Sequence, residues 1–412
     1  MTANASVLQS LLIKVESAWG ETTTSMASAK KITVVGGVKY QLDQPMLEPN
    51  RSTQYLQELT PGIPGPMGGS ISFDVYLTGF GGTTAGATAV SDLGNLLGWV
   101  LGGNVVTAAS GTTVSGGAST TTNIVTTASG TFTPGGLFRL GAKGDAGGDG
   151  QWNVVDTHTL TDLVPEFAVP AAPSAAAVVY SAENLYTVED GTAGAITGYR
   201  LQWFTANTQW TAHGCFPTAI SISGLNPGEL PKASITLGVS WFEPRADTFP
   251  DTTSLTTNTP APVAAGSFCL QTYATTTRNA LSYRALSLDI TLGVVPLYGP
   301  DGANAYQKIV GATRTPTAIM LTVVVDAGAA STTPTYWTNW LTNAYHHILA
   351  SLTTATGQAV GFYLPRCVYM GNRPTQIESD GLNRVSLTFK AGTDTLETSS
   401  AVALSALRIG LA

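Results

Sequence analysis

A chain of 412 residues is long enough for two or three domains, or for one large β-rich domain carrying an insertion. Charged residues make up only 11% and hydrophobic residues 43%, against about a quarter charged in ordinary globular domains, so much of the outer surface is uncharged Thr, Ser, Ala and Gly. Such a surface protects a monomer poorly and points to a chain built to meet other copies. The net charge of −7, from 26 acidic and 19 basic residues, argues against tight phosphate binding, which runs on clustered Lys and Arg.

At the N-terminus the apolar run "VLQSLLIKV" has no Lys or Arg before it and is closed by Lys14 and Glu16 rather than by a small-residue cleavage site, so no secretory signal is expected. No other run approaches the apolar length of a membrane helix, and a soluble protein folded in the cytoplasm is the expectation. Short alternating runs then follow, broken by Gly, Pro, Asn and Asp, which is an all-β pattern. They include "ITVVGGVKYQL", "GYRLQWF", "TAISISG", "ASITLGVSWF", "SLDITLGVV", "IMLTVVV" and "NRVSLTF".

In "GSISFDVYLTG" the apolar Ile71, Phe73, Val75 and Leu77 alternate with Ser70, Ser72, Asp74, Tyr76 and Thr78. The apolar row must be covered and the polar row must stay wet, facing either plain solvent or an enclosed channel. Asp289, with Ser287 and Thr291, sits in a similar context in "SLDITLG".

Two segments read as helices. The first covers 90–101, with Leu93, Leu96, Leu97, Val100 and Leu101 at helical spacing. The second covers 334–352, with Thr333 as cap, Pro334 in the first turn, and a stripe of Trp337, Trp340, Leu341, Ala344, Ile348 and Leu349. Each follows a strand and a loose loop, "FGGTTAGAT" or "AGAASTTP", which suggests an internal repeat of structure without obvious identity of sequence. The expected division is 1–102 for the first β-plus-helix half, 103–194 for an inserted small β-barrel-like subdomain, and 195–412 for the second half. The middle segment opens on a Thr/Gly/Ser stretch and continues with "GLFRLGAKG", "GQWNVVDTH", "LVPEFAVP" and "AAAVVYSA".

Catalytic signatures are not found: there is no nucleophile elbow, phosphate loop, H-E-x-x-H or EF-hand loop. No enzyme and no cofactor are expected. Cys215, Cys269 and Cys367 are odd in number and widely spaced, so they read as buried small hydrophobes rather than as disulfides or zinc ligands. His346 and His347 read as exposed residues on the second helix, pointing about 100° apart and unable to share a metal. Asp145 and Asp149 in "KGDAGGDGQW" read as a hairpin turn. Trp203, Trp210, Trp241, Trp337 and Trp340 are assigned to core packing rather than to a sugar platform.

Four stretches in order resemble bacteriophage tail tube (major tail) proteins. They are "LLIKVESAWGE", with Glu16, Trp19 and Gly20; "LEPNRSTQYLQELTPGIPGPMGGSISFDVYLTGFG" followed by "LGNLLGWVLG"; "HGCFPTAISISGLNPGELPKASITLGVSWF"; and "GNRPTQIESDGLNRVSLTFKAG". The resemblance covers most of both halves but not 103–194, and it rests on order and spacing. It implies a mainly β fold: a tail-tube-type β-sandwich or half-barrel with two flanking α-helices and an inserted small β subdomain. It also implies six-fold rings stacked into a tube through which the genome passes. In such a tube Ser72, Asp74, Tyr76, Thr78, Ser287, Asp289 and Thr291 would face the lumen. The long loop holding Glu48, Arg51, Tyr55, Glu58 and Pro64 would reach a neighbouring ring or subunit, and the insertion would decorate the exterior. Implied partners are further copies of the chain, the tape measure, terminator and distal tail proteins, and double-stranded DNA in transient, non-specific passage, with no membrane. The implied location is the virion tail, after synthesis and assembly in the host cytoplasm. The insertion is absent from small tube proteins and points to a long non-contractile tail. Other readings are a tail terminator or head-tail component, a surface-layer or adhesin-type β-rich assembly protein suggested by the Thr/Gly/Ser content, and a glycan-degrading β enzyme.

Overall fold

The computed structural model describes residues 9–20, 26, 29–43, 46–47, 63–64, 68–77, 92–107, 112–115, 118–127, 132–141, 151–159, 161–175, 177–181, 184–188, 196–205, 208–245, 262–273, 275, 279–300, 307–326, 332–354, 359–370, 375–379, 382–393 and 404–411. The chain opens with β1 (Gln9–Val15), β2 (Lys30–Asp43), β3 (Met46–Leu47), β4 (Ile63–Pro64), β5 (Gly68–Tyr76), α1 (Asp92–Leu101) and β6 (Gly102–Thr107). A middle group follows: β7 (Thr112–Thr113), β8 (Ile124–Val125), β9 (Leu137–Leu140), β10 (Trp152–Thr159), β11 (Asp162–Pro165), β12 (Val178–Ser181) and β13 (Asn184–Val188). Next come β14 (Tyr199–Thr205), β15 (Thr208–Ser223), β16 (Lys232–Val239), β17 (Trp241–Arg245), β18 (Val263–Thr272), β19 (Ala280–Leu281), β20 (Tyr283–Pro300) and β21 (Gln307–Asp326). The chain ends with α2 (Thr332–Leu341), β22 (His346–Thr354), β23 (Ala359–Tyr369), β24 (Thr375–Ser379), β25 (Leu382–Gly392) and β26 (Arg408–Leu411).

The protein is mainly β, and every strand pairing is antiparallel. In the first unit β1 pairs with β2 and β14, β14 with β15, β15 with β16, β16 with β5, and β5 with β2, so the ladder closes on itself. β2 serves two neighbours because it bends: Gly36 and Gly37 adopt φ of 72° and 91°, and the register shifts between Val35 and Lys39. That left-handed backbone is open to glycine at little steric cost. Inside the ring Leu11, Ile32, Ile71, Phe73, Val75, Leu201, Trp203, Ile220 and Ile235 are buried together. α1 adds Leu96, Leu97, Val100 and Leu101 to the same core, as its helical spacing requires.

The second unit repeats this wiring. β18 pairs with β22, β22 with β23, β23 with β25, β25 with β21 and β21 with β20. β26 lies on β23 as β17 lies on β15, and β19 lies on β18 as the first half of β2 lies on β1. Register fixes the equivalence residue by residue. Tyr199 opposes Cys215 and His346 opposes Cys367, each just before a β-bulge. From there Pro217–Leu237–Ile71–Tyr40 corresponds to Tyr369–Phe389–Leu321–Leu288. The units join where β15 of the first pairs with β20 of the second. One contiguous apolar core runs under both.

The inserted segment forms a six-stranded sheet of β7 to β12, wholly within 112–181. A bridge from Val114 to Thr126 links its two ends, and Ile124, Phe138, Leu140, Val155, Leu163 and Val179 fill it. β6 and β13, which lead into and out of it, pair with each other, and β13 also pairs with β26 of the large sheet. Trp152, fully buried, seats the insertion on the second unit among Phe167, Cys269, Leu349, Ala359 and Tyr363.

Three expectations are corrected. The second helix stops at Leu341, and 346–354 is a strand. Asn343 takes φ of 50° and the Ala344 amide donates to the Asn339 carbonyl, a left-handed cap that ends the helix. His346 and His347 are therefore not exposed helix residues; they are 2% and 0% exposed in a strand flanked on both edges. Trp337 stands 39% exposed and Leu341 60%, because the stripe they were assigned to is broken at that cap. Trp203, by contrast, is fully buried, and all three cysteines are buried and outside any disulfide. The Asp145–Asp149 turn lies outside the described residues.

Candidate functional site: a polar face spanning both units

The joined sheet β2–β5–β16–β15–β20–β21–β25 has one apolar and one polar face. On the apolar side Ile71, Phe73, Ile235, Leu237, Ile220, Leu288, Ile290 and Leu321 are all 3% exposed or less. The polar side is made of straight cross-strand rows, since residues directly opposite in a ladder share a face. One row runs Asp74–Ser234–Ser221–Asp289–Met320–Lys390. The next runs Lys39–Ser72–Thr236–Ala219–Thr291–Ala318. Tyr76 faces Lys232, which faces Ser223, while Ser287 faces Thr322, which faces Thr388.

Thus Ser72, Asp74, Tyr76, Ser287, Asp289 and Thr291, from segments more than two hundred positions apart in sequence, are brought to one surface. Asp289 and Thr291 are exposed and Ser72, Asp74, Tyr76 and Ser287 half-buried. Each carboxylate is held by a serine across the ladder: Ser234 Oγ donates to Asp74 Oδ1 and Ser221 Oγ donates to Asp289 Oδ1, both at 2.6 Å. These charge-assisted bonds fix where the negative charge stands.

Sequence reasoning missed Lys39, Lys232 and Lys390, which share these rows and temper their acidity. Nothing local in the sequence links them to Asp74, because only long-range pairing puts them there. It also missed the arm formed by the far ends of β20 and β21. There Ile309 and Ala312 pack back on Ile196 and Phe216 of the first unit, while Val295, Leu297, Tyr298 and Val310 stay exposed. Arg314 on this arm donates from Nη1 to the Leu101 carbonyl at the end of α1, at 2.9 Å. Thr78, Glu48, Arg51, Tyr55 and Glu58 lie outside the described residues; Pro64 is in β4, opposite Met46.

Among the described residues no group of three or more His, Cys, Asp and Glu is placed to hold a metal. No helix among them is long and apolar enough to cross a membrane. No protein-family model matches the chain, and no curated protein matches it.

Proposed function

We propose that this chain is a structural protein of a bacteriophage tail tube, assembling into stacked rings around a lumen through which DNA leaves the virion. The single observation that carries the reading is the uninterrupted sheet across both units, apolar beneath and hydroxyl-rich above, with Asp74 and Asp289 in one row. A wall of this kind suits a duct: Asp74 and Asp289 repel phosphate, the hydroxyls between them carry no charge, and Lys39, Lys232 and Lys390 are spread over separate strands rather than clustered, so the face offers phosphate no concentrated counter-charge. In this reading each repeated unit is a β-sandwich flanked by its helix, the polar face turns inward, and the inserted sheet, docked on the far side of the second unit's core, decorates the exterior. The low charge of the whole chain fits a protomer that spends its working life covered by copies of itself.

Negative-stain electron microscopy of the purified protein at high concentration tests it. Hollow tubes with a bore wide enough for duplex DNA are the expected result. Isolated monomers at every concentration, or flat arrays without a bore, would reject it.

A further inference from the structure

The two units of one molecule are joined by two separate routes. On the polar sheet the joint is short: Ala219, Ile220, Ser221 and Ile222 of β15 face Thr291, Ile290, Asp289 and Leu288 of β20. Twist between neighbouring strands spans about 25° from one pair to another. A contact of four residues on each strand therefore does not by itself fix the angle at which one unit meets the other. The arm adds Ile309 and Ala312 against Phe216 of β15, along the same line, and one bond from Arg314 to the Leu101 carbonyl at the root of β6.

The second route uses none of the strands of the polar sheet. It starts at α1, which is packed into the core by Leu96, Leu97, Val100 and Leu101, and whose Trp99 ring lies 3.6 Å from that of Tyr199. β6 leaves α1 without a break and pairs with β13, and β13 pairs with β26 of the second unit from Asn184 to Thr187. Ser405 closes the end of this ladder: its hydroxyl accepts from the Val188 amide at 3.0 Å and donates to the Leu407 carbonyl at 2.7 Å. The inserted sheet then seats on the second unit. Ile348, Ala350, Phe362 and Leu364 of β22 and β23 point into the large core, whereas Leu349 and Tyr363 belong to the separate cluster around Trp152 and Phe167. Polar contacts surround this plug. The Trp152 amide donates to Ser351 Oγ at 2.9 Å, Arg408 Nη1 donates to the Gly135 carbonyl at 2.8 Å, and His347 Nδ1 lies 3.1 Å from Glu166 Oε1.

We propose that the insertion and its stem are an intramolecular brace, which sets the angle between the two units and with it the curvature of the polar face. A hinge made of two strands is held at one angle only by a tie away from the hinge line, and the route through β6, β13 and Trp152 is such a tie. Loosening it frees rotation about the β15–β20 line while the strand ladders within each unit stay paired. The brace concerns a single molecule and goes beyond the tube reading, which can fail without touching it.

The test is a distance measurement by double electron–electron resonance in the full chain. Spin labels are placed on Lys39→Cys in β2 and Lys390→Cys in β25, exposed positions near the two ends of the polar face. The three native cysteines are buried, and labelled protein is diluted with unlabelled protein so that only distances within one molecule are read. Six strand spacings put the labels about 29 Å apart. The braced chain should give one narrow peak. Trp152→Ala, which removes the plug, should broaden or shift the peak by about 6 Å, the swing of three strand spacings through about 25°. Ser405→Ala loosens the stem without emptying the seat and should also broaden the peak; it decides the matter if Trp152→Ala fails to fold by circular dichroism. Phe268→Leu, at a fully buried position in the second unit's core, controls for lost stability alone and should leave the peak unchanged. An unchanged peak in the folded brace variants would overturn the proposal, as would equal broadening by Phe268→Leu.

Discussion

Asp74 and Asp289 stand in one straight row across four strands, separated by Ser234 and Ser221, each serine donating its hydroxyl to the carboxylate beside it. The two acids come from different repeats and are not at equivalent positions: the counterpart of Asp74 is Val324, and that of Asp289 is Gln41. The row is therefore a property of the joined sheet rather than of either repeat.

Changing both acids to lysine tests what the face does. The apolar side of the sheet is untouched, so folding and assembly should proceed as in the wild type. Assemblies of Asp74→Lys, Asp289→Lys should retain duplex DNA on a filter at about 50 mM salt and release it by about 200 mM, because each added cation near a phosphate steepens the salt dependence. If the chain is the tail-tube protein proposed above, phage carrying Asp74→Lys should assemble normally and eject DNA more slowly. Identical retention and ejection by variant and wild type would take this face out of the DNA path.

Acid should weaken the second unit through His346. Burial holds this imidazole down to about 4 from 6.5, partly opposed by its bond to the Ala344 carbonyl and reinforced by neighbouring His347. Its Nδ1 lies 2.9 Å from that carbonyl and its Nε2 lies 3.2 Å from the Asn339 amide, an arrangement that suits the neutral ring. Between pH 4 and 6.5 the unfolded chain binds a proton that the folded chain refuses. Stability from this group is thus complete above the unfolded value and is lost as pH falls toward the folded one, by at most about 3 kcal/mol. Guanidinium midpoints at pH 7.5 and 4.5 should diverge less for His346→Gln than for the wild type; an equal divergence would assign the acid sensitivity elsewhere.

The inserted sheet should be held by Trp152. Its backbone amide donates to Ser351 Oγ at 2.9 Å, and its indole lies so close to Gly361 that a Cβ there would sit 2.6 Å from the ring. Trp152→Ala removes the largest side chain of the docking cluster and should cost about 3 to 5 kcal/mol. Gly361→Ala should cost about 1 to 3 kcal/mol by overpacking. If denaturant melts of both variants match the wild type, the insertion is not anchored through this contact.

How much of this was legible depended on whether the signal was local. β5 could be read directly, because Ile71, Phe73 and Val75 are buried while Ser72, Asp74 and Tyr76 are not. The repeated strand–loop–helix order was also visible. β22 was not: His346 to Thr353 are buried on both faces, so alternation is missing. The spacing of Trp340, Ala344 and Ile348 then imitated a helical stripe across a cap that only Asn343 announced. The polar face itself was half legible. Its members on β5 and β20 could be named, but the serines that hold the carboxylates arrive from 68 and 160 residues away in sequence, and the lysines that temper them arrive through pairings with other strands.

Glu16 should prove a structural pin of the first unit rather than a surface acid. It is 4% exposed, and its carboxylate accepts from the Gly20 amide at 2.7 Å and from the Gly214 amide at 3.0 and 3.2 Å. Gly214 takes φ of 57°, and a Cβ there would press on the Trp19 and Ser240 side chains that bond each other at 3.0 Å. His213 Nδ1 lies 3.9 Å from one Glu16 oxygen. Glu16→Gln preserves the shape but supplies only one acceptor oxygen, so its amide hydrogens must face a backbone donor, at a cost of about 3 kcal/mol. Glu243→Gln is the matched control: that carboxylate reaches the other side of the same histidine at 3.4 Å but is 29% exposed. It should cost under about 1 kcal/mol, since water screens it. A urea series with unchanged slope decides between them, and equal midpoints for the two variants would reduce Glu16 to one more charge near His213.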